Sequence, residues 1–269
     1  MRNLIGEDRI VRNAKVSARI AVALLASFAA VSAHAQLLAG KREIERQSAT
    51  EWLIMKRENP QIGDPRTVRY VECIAGAIVN QLDPEWHELN WEVVVFDNDQ
   101  LNAFAMTGGK IGVFSGIFKV ADTPDALAAV LGHEIAHMTL GHVFDRARRA
   151  SRTKAATIIG SAATGIHPDY FEFGSQVALQ LPFQRGQESE ADVVGLRYMA
   201  NAGFDPRAAL QLWQNMKLAA EGRNQPPEWM STHPREDARI DEMVPLLVEN
   251  LKIYNDAREA GHYPNCYPR

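Results

Sequence analysis

Residues 133–137 read His133-Glu134-Ile135-Ala136-His137, and the setting of these five residues decides what the chain can be. Upstream, Thr123-Pro124 offers a helix cap followed by a proline suited to the first helical position. Leu127, Val130, Leu131, Ile135 and Met138 recur at three- and four-residue spacing, which predicts one helix from Thr123 to about Arg149. With about 3.6 residues per turn, His133 and His137 stand one turn apart on one face, where two imidazoles can bind a single metal ion. Glu134 points to the flank of that site, where a water would be activated. The apolar residues around the motif predict a half-buried position, and Gly132 and Gly141 leave room for a second element to come close.

A catalytic zinc needs a third protein ligand and one open coordination position. The acidic run Glu188-Ser189-Glu190-Ala191-Asp192 opens a helix predicted from about Gln187 to Asn201 and ended by Gly203. On that helix Glu188 and Asp192 share a face that continues through Gly195, Leu196 and Met199. Glu190 is turned away by roughly 200°, toward Val194, Arg197 and Asn201. Glu188 is therefore the expected third ligand. Asp192, one turn on, is placed to hydrogen-bond the free N–H of a ligating imidazole or to supply a proton. A structural zinc is normally closed by four ligands, commonly with cysteine, and no cysteine lies nearby. The pattern therefore implies hydrolysis, with one zinc per chain, a metal-activated water as nucleophile and Glu134 as general base.

Outward from this site, a polar helix is predicted over Lys41 to Asn59. Asp64-Pro65 opens a second helix with the apolar stripe Val68, Val71, Ala75, Ile78 and Leu82. Trp91 to Phe96, Leu101 to Met106 and Lys110 to Phe114 read as strands around the Thr107-Gly108-Gly109 turn. Asp205-Pro206 caps a helix to about Ala220, and after Pro226-Pro227 a last helix is predicted through Leu251. Ser151 to Gly165, rich in alanine, glycine and serine, fits a small-residue helix or a mobile flap equally well. The order of helices, a short strand cluster and helices implies an α+β fold, mostly helical, with a small β-sheet beside the HExxH helix.

HExxH followed some fifty residues later by ExxAD resembles the M48 metalloproteases, a gluzincin group. Asn102-Ala103-Phe104-Ala105 and Gly108-Gly109-Lys110-Ile111-Gly112-Val113 are similar to the family's strand pair ahead of the active helix. Thr139-Leu140-Gly141-His142, Phe183-Gln184-Arg185 and Ser231-Thr232-His233-Pro234 with Arg239 extend the likeness. The resemblance implies a zincin-like fold over residues 65–250 and peptide-bond hydrolysis. It implies a substrate strand at Asn102, Ala103, Phe104 and Ala105, and a catalytic or ligating part for His233 near the open zinc position; a loop histidine whose Pro234 starts a helix is the alternative for His233. Arg239 would anchor the His233 loop through an acidic partner such as Asp192. With neither membrane-spanning helices nor a helical-repeat extension after Leu251, the chain resembles the compact periplasmic type. Its expected partners are unfolded or misfolded proteins, with peripheral association to the outer membrane or its assembly machinery. A chaperone-like binding protein with a silent or latent metal site is the competing reading.

The 269 residues carry 29 basic and 33 acidic side chains, so no basic field suited to nucleic acid is present. Residues 1–35 read as a signal peptide: a basic leader, an apolar stretch from Ile20 to Ala33, and Ala33-His34-Ala35 as cleavage site. A retained N-terminal anchor is the alternative. Without residues 1–35 the chain has 24 basic against 31 acidic residues, a net charge of −7. Residues 36–64 are then an N-terminal helical segment and 251–269 a C-terminal tail. Export to the periplasm makes a disulfide between the two cysteines, Cys73 and Cys266, an expectation.

Overall fold

The computed structural model describes residues 40–150, 181–222, 226–234 and 236–267. The expected signal peptide and the Ser151–Gly165 segment lie outside them. The chain divides into two units, Met1–Arg46 and Gln47–Arg269. Of the first, only the helical residues 40–46 are described.

The second unit begins with helix α1 (47–58), then α2 (Pro65–Val79) and the short α3 (Pro84–His87). Strands β1 (Glu92–Phe96), β2 (Ala103–Met106) and β3 (Lys110–Phe114) precede a 3-10 turn and α4 (Pro124–Thr139). There follow α5 (142–150), α6 (Arg185–Asn201), α7 (Arg207–Ala220), α8 (Glu228–Thr232), α9 (Glu236–Met243) and α10 (Leu247–Glu259). The fold is α+β. Among the described residues no helix is long and apolar enough to cross a membrane.

α4 is the centre of the unit. Thr123 caps it by accepting from the Ala126 N–H at 3.1 Å, and every residue from Ala126 to Met138 is buried. A helix buried on all sides needs partners on all sides. α2, α6, α7 and β2 supply them. α2 starts where Asp64 accepts from the Arg66 and Thr67 N–H groups, and it turns Val71, Ile74, Ala75 and Ile78 inward.

The sheet has the order β1-β3-β2, with β1 parallel to β3 and β2 antiparallel at the edge. Alternate side chains serve two cores. Val95, Ala103, Ile111 and Val113 join the core around α4. Val94, Phe96, Phe104, Met106 and Phe114 pack on the other face with Trp52 of α1. Trp52 meets Phe96 edge-on at 6.0 Å. Both faces being covered explains why β2 is apolar throughout rather than alternating.

Three boundaries depart from the sequence reading. α4 stops at Thr139 instead of running to about Arg149, because Gly141 takes φ 77° while its N–H bonds the Met138 carbonyl at 3.0 Å. Glycine adopts that left-handed conformation without a Cβ penalty, and the chain resumes as α5. β2 begins at Ala103, not Leu101, since the Leu101 carbonyl accepts from the Trp229 N–H at 3.1 Å. The last helix is two: Pro245 sits in the 3-10 turn Val244–Leu246, and α10 continues to Glu259 through residues expected to form a tail. Beyond α10 the chain is pinned by a disulfide from Cys266 to Cys73 on α2, with Cα atoms 5.6 Å apart.

Candidate active site

α4 and α6 cross at glycine. A Cβ on Gly195 would sit 2.9 Å from the His133 nitrogen, and one on Gly132 would sit 2.9 Å from the Gly195 carbonyl oxygen. Only backbones without side chains can approach this closely, and the approach brings the acidic face of α6 onto the two histidines of α4. His133 Nε2 and His137 Nε2 lie 3.0 Å apart. Glu188 Oε2 is 3.6 Å from the first and Oε1 is 3.3 Å from the second. His233, held at the end of α8, joins them: one ligand atom from each of His133, His137, Glu188 and His233 lies within 4.8 Å of the others, and all four residues are buried.

This donor set fits a divalent first-row metal. Glu188 Oε1 and His233 Nε2 are buried without a hydrogen-bond partner. Each buried orphan costs about 1–3 kcal/mol, and a cation among the four donors removes that cost. Imidazoles and a carboxylate are the ligands such metals take. The His233 tautomer agrees. Its Nδ1 is 2.9 Å from the Trp229 carbonyl, which can only accept, so the proton is on Nδ1 and the Nε2 lone pair faces the cluster. Burial lowers the pKa of His233 and keeps the ring neutral.

The charges around the cluster are matched. Burial pushes the Glu188 carboxyl up, but hydrogen bonds from His133 and His137 and the charge on His133 outweigh it and hold the group far below the ordinary carboxylate range. Asp192 accepts from Arg239 Nε at 2.9 Å, and the same guanidinium also bonds Glu188. His133 Nδ1 is 3.1 Å from Asp192 Oδ1. Burial and Arg239 act to lower the pKa of His133, yet Asp192 and Glu188 raise it to about 9. A metal entering the site must therefore displace a proton from this ring. His137 is pushed well down, chiefly by burial and then by His133.

Glu134 is buried beside the cluster. The Trp229 indole N–H donates to its Oε1 at 2.8 Å, whereas Oε2 is buried without a partner. His233 Nε2 is 3.3 Å from Oε1. A cleft of about 230 Å³ opens beside them, lined by Asn98, Asn102, Ala103, Phe104, Arg146 and His233 among others. The Phe114 N–H donates to the Asn102 carbonyl at 3.0 Å, so Asn102 and Phe114 are a hydrogen-bonded pair of the antiparallel ladder. By alternation, the main-chain groups of Phe104 and Met106 also face β3, and those of Ala103 and Ala105 face the free edge. The Ala105 side chain does not reach the cleft, being packed with Met138, Val143 and Phe183.

The residues singled out from sequence at 133, 134, 137, 188, 192 and 233 thus meet in one buried cluster, and 102–104 border the adjoining cleft. Glu190 is not part of the cluster. Its carboxylate is 66% exposed and lies 3.1 Å from His142 Nε2. The expected Arg239–Asp192 pair forms, but sequence reasoning passed over three partners, His142, Trp229 and Arg146, and a further bond of Arg239. His142 Nδ1 is 3.1 Å from His137 Nδ1, Trp229 holds Glu134, Arg239 reaches Glu188 as well as Asp192, and Arg146 enters the cleft. Of these, His142 and Arg239 lay in quoted motifs. The other two carried no motif signal.

Comparison with known proteins agrees with this geometry. The chain is 35% identical over 162 residues to a protein of Schizosaccharomyces pombe named mitochondrial metalloendopeptidase OMA1, covering 60% of this chain and 48% of that one. It is 31% identical over 200 residues to the β-barrel assembly-enhancing protease of Yersinia pestis, covering 70% and 40%. The bovine mitochondrial metalloendopeptidase OMA1 is 33% identical over 198 residues, covering 68% and 36%. The chain therefore spans half or less of the length of these relatives. Residues 65–245 match the model of peptidase family M48, so the chain belongs to that family.

Proposed function

We propose that the protein is a zinc-dependent endopeptidase that cleaves unfolded or misassembled proteins of the cell envelope. The observation that carries this reading is the buried convergence of His133, His137, Glu188 and His233 beside Glu134, at the head of an open cleft. His133, His137 and Glu188 would hold the zinc. When bound, the metal supplies Lewis acidity that polarises the scissile carbonyl and acidifies a water. Glu134 takes the proton from the attacking water and delivers it to the leaving amine nitrogen. The Trp229 N–H engages one carboxylate oxygen and leaves the other, Oε2, to carry that proton. Asp192 keeps the His133 proton on Nδ1, so that the Nε2 lone pair points inward.

His233 is the fourth donor in this reading. Its unpartnered Nε2 supports a latent resting state in which it fills the position that substrate and water need. His233→Ala should then retain zinc and raise proteolysis. Loss of turnover with zinc retained would make it a transition-state donor instead.

Substrate would add as a strand along β2, meeting the outward main-chain groups of Ala103 and Ala105. Main-chain bonding gives affinity with little sequence preference, which suits unfolded chains. The leader over residues 1–35 and the oxidised cysteine pair support export to the periplasm. The name of the Yersinia relative supports work at the outer membrane or with its assembly machinery. The mitochondrial relatives share the chemistry in a different compartment. A chaperone-like binding protein with a silent site gives no reason for an intact Glu134 beside the metal donors. Casein digestion should be abolished by chelation and restored by zinc, and digestion that survives chelation overturns the reading. Cell-envelope proteomes with wild type and with Glu134→Gln should differ by the substrates that accumulate.

A further inference from the structure

Arg146, on α5, has none of the roles described so far. It is 3% exposed, and its guanidinium lies 4.0 Å over the Phe183 ring. No carboxylate or carbonyl among the described residues accepts a hydrogen bond from it. Arg239 is equally buried but is bonded by Asp192 and Glu188. A cation taken out of water without such partners is costly, and burial accordingly brings the Arg146 pKa down to about 10, with Glu134 and Glu188 acting in the opposite direction. The group is still a cation at neutral pH. It also lines the cleft beside Asn102, Thr232 and His233, next to the expected path of substrate.

The charge count points the same way. Asp192 is balanced by Arg239, and a divalent metal held by the donor cluster would balance Glu134 and Glu188. Among the described residues Arg146 is then a positive charge left unmatched on the wall of the cleft. Glu228 lines the same cleft, but burial raises its pKa and it makes no hydrogen bond to Arg146. The amides of Asn98, Gln100 and Asn102 can serve peptide carbonyls and N–H groups. An unmatched planar fork is suited to something else. We propose that Arg146 is an anion subsite of the cleft, which takes a carboxylate of the bound peptide, either an acidic side chain or the chain's terminal carboxylate.

This inference rests on the protease reading, and its test separates the two. Fluorogenic peptides carry one Glu or one Gln walked through the positions flanking the scissile bond, and a second set ends in a free acid or an amide. Wild type should favour the carboxylate member of one set by about tenfold in kcat/KM, mostly through KM. The set that discriminates identifies the source of the carboxylate. Arg146→Gln should bring that ratio to about one whatever its effect on absolute rate, and Arg146→Lys should keep part of it. Equal rates for every matched pair in wild type, or an unchanged ratio in Arg146→Gln, would overturn the subsite while leaving the protease intact. Fluorescence anisotropy of the same peptides on Glu134→Gln protein, with Arg146 present, decides the matter without turnover or a folded Arg146 variant. Tighter binding of the carboxylate member supports the subsite, and equal affinity overturns it.

Discussion

His133 and His137 are oriented by different partners. His133 is backed by the Asp192 carboxylate, and His137 by the neutral ring of His142. To ligate through Nε2, His137 must donate from Nδ1, so His142 must accept on Nδ1 and carry its proton on Nε2, facing Glu190. Burial lowers the pKa of His142 and favours that neutral form, against the pull of Glu190. His142→Phe should therefore weaken zinc binding by about 10–100-fold, and Glu190→Gln by less. His133→Ala, His137→Ala or Glu188→Ala should each empty the site. Competition with a chromophoric chelator measures all five. Metal lost in Glu190→Ala but kept in Glu188→Ala would contradict the helix-face assignment. Glu188 was legible over Glu190 because helical phase alone separates them. His142 was not, because its contact with His137 depends on the break at Gly141.

The site exists because elements meet at specific points, and two of those points can be tested. Gly195→Ala forces a methyl group against the α4 backbone at His133. The helices must part, at about 1–3 kcal/mol, and zinc affinity should fall along with Tm. An unchanged Tm would mean that the crossing is looser than the structure indicates. Arg239 ties α9 to α6 through Asp192 and Glu188. Burial raises both carboxyls, but Arg239 on Asp192 and the histidines on Glu188 lower them further. Both groups therefore hold protons less tightly folded than unfolded. They stabilise metal-free protein fully above about pH 4–5, and that stability drains away as pH falls toward their depressed folded pKa values. Denaturant midpoints of Arg239→Met should show a shallower loss over that acid range than wild type. Helix periodicity and cap residues made α2, α4 and α6 legible from sequence. The order β1-β3-β2 and the Trp52 face of the sheet were not, because they depend on which strands pair and what covers them.

For the whole molecule, the disulfide closes a loop of 193 residues between α2 and the segment after α10. Chain-entropy reasoning gives about 5 kcal/mol for a loop of that length. Cys73→Ser with Cys266→Ser should lower the denaturation midpoint without changing zinc content, and mass spectrometry of exported protein should find no alkylatable thiol. In the proposed binding mode the edge strand β2 would receive the substrate. Ala103→Pro or Ala105→Pro removes an outward N–H, so each should impair cleavage while zinc stays bound. Normal cleavage by both would exclude strand addition. In the proposed mechanism Glu134 moves the proton in a metal-dependent peptide-bond cleavage. That role is tested most directly by zinc content and peptide turnover measured on one preparation of Glu134→Gln beside wild type. One zinc per chain is expected in both, with turnover only in the wild type. A fully zinc-loaded Glu134→Gln protein that cuts as fast as wild type would contradict it.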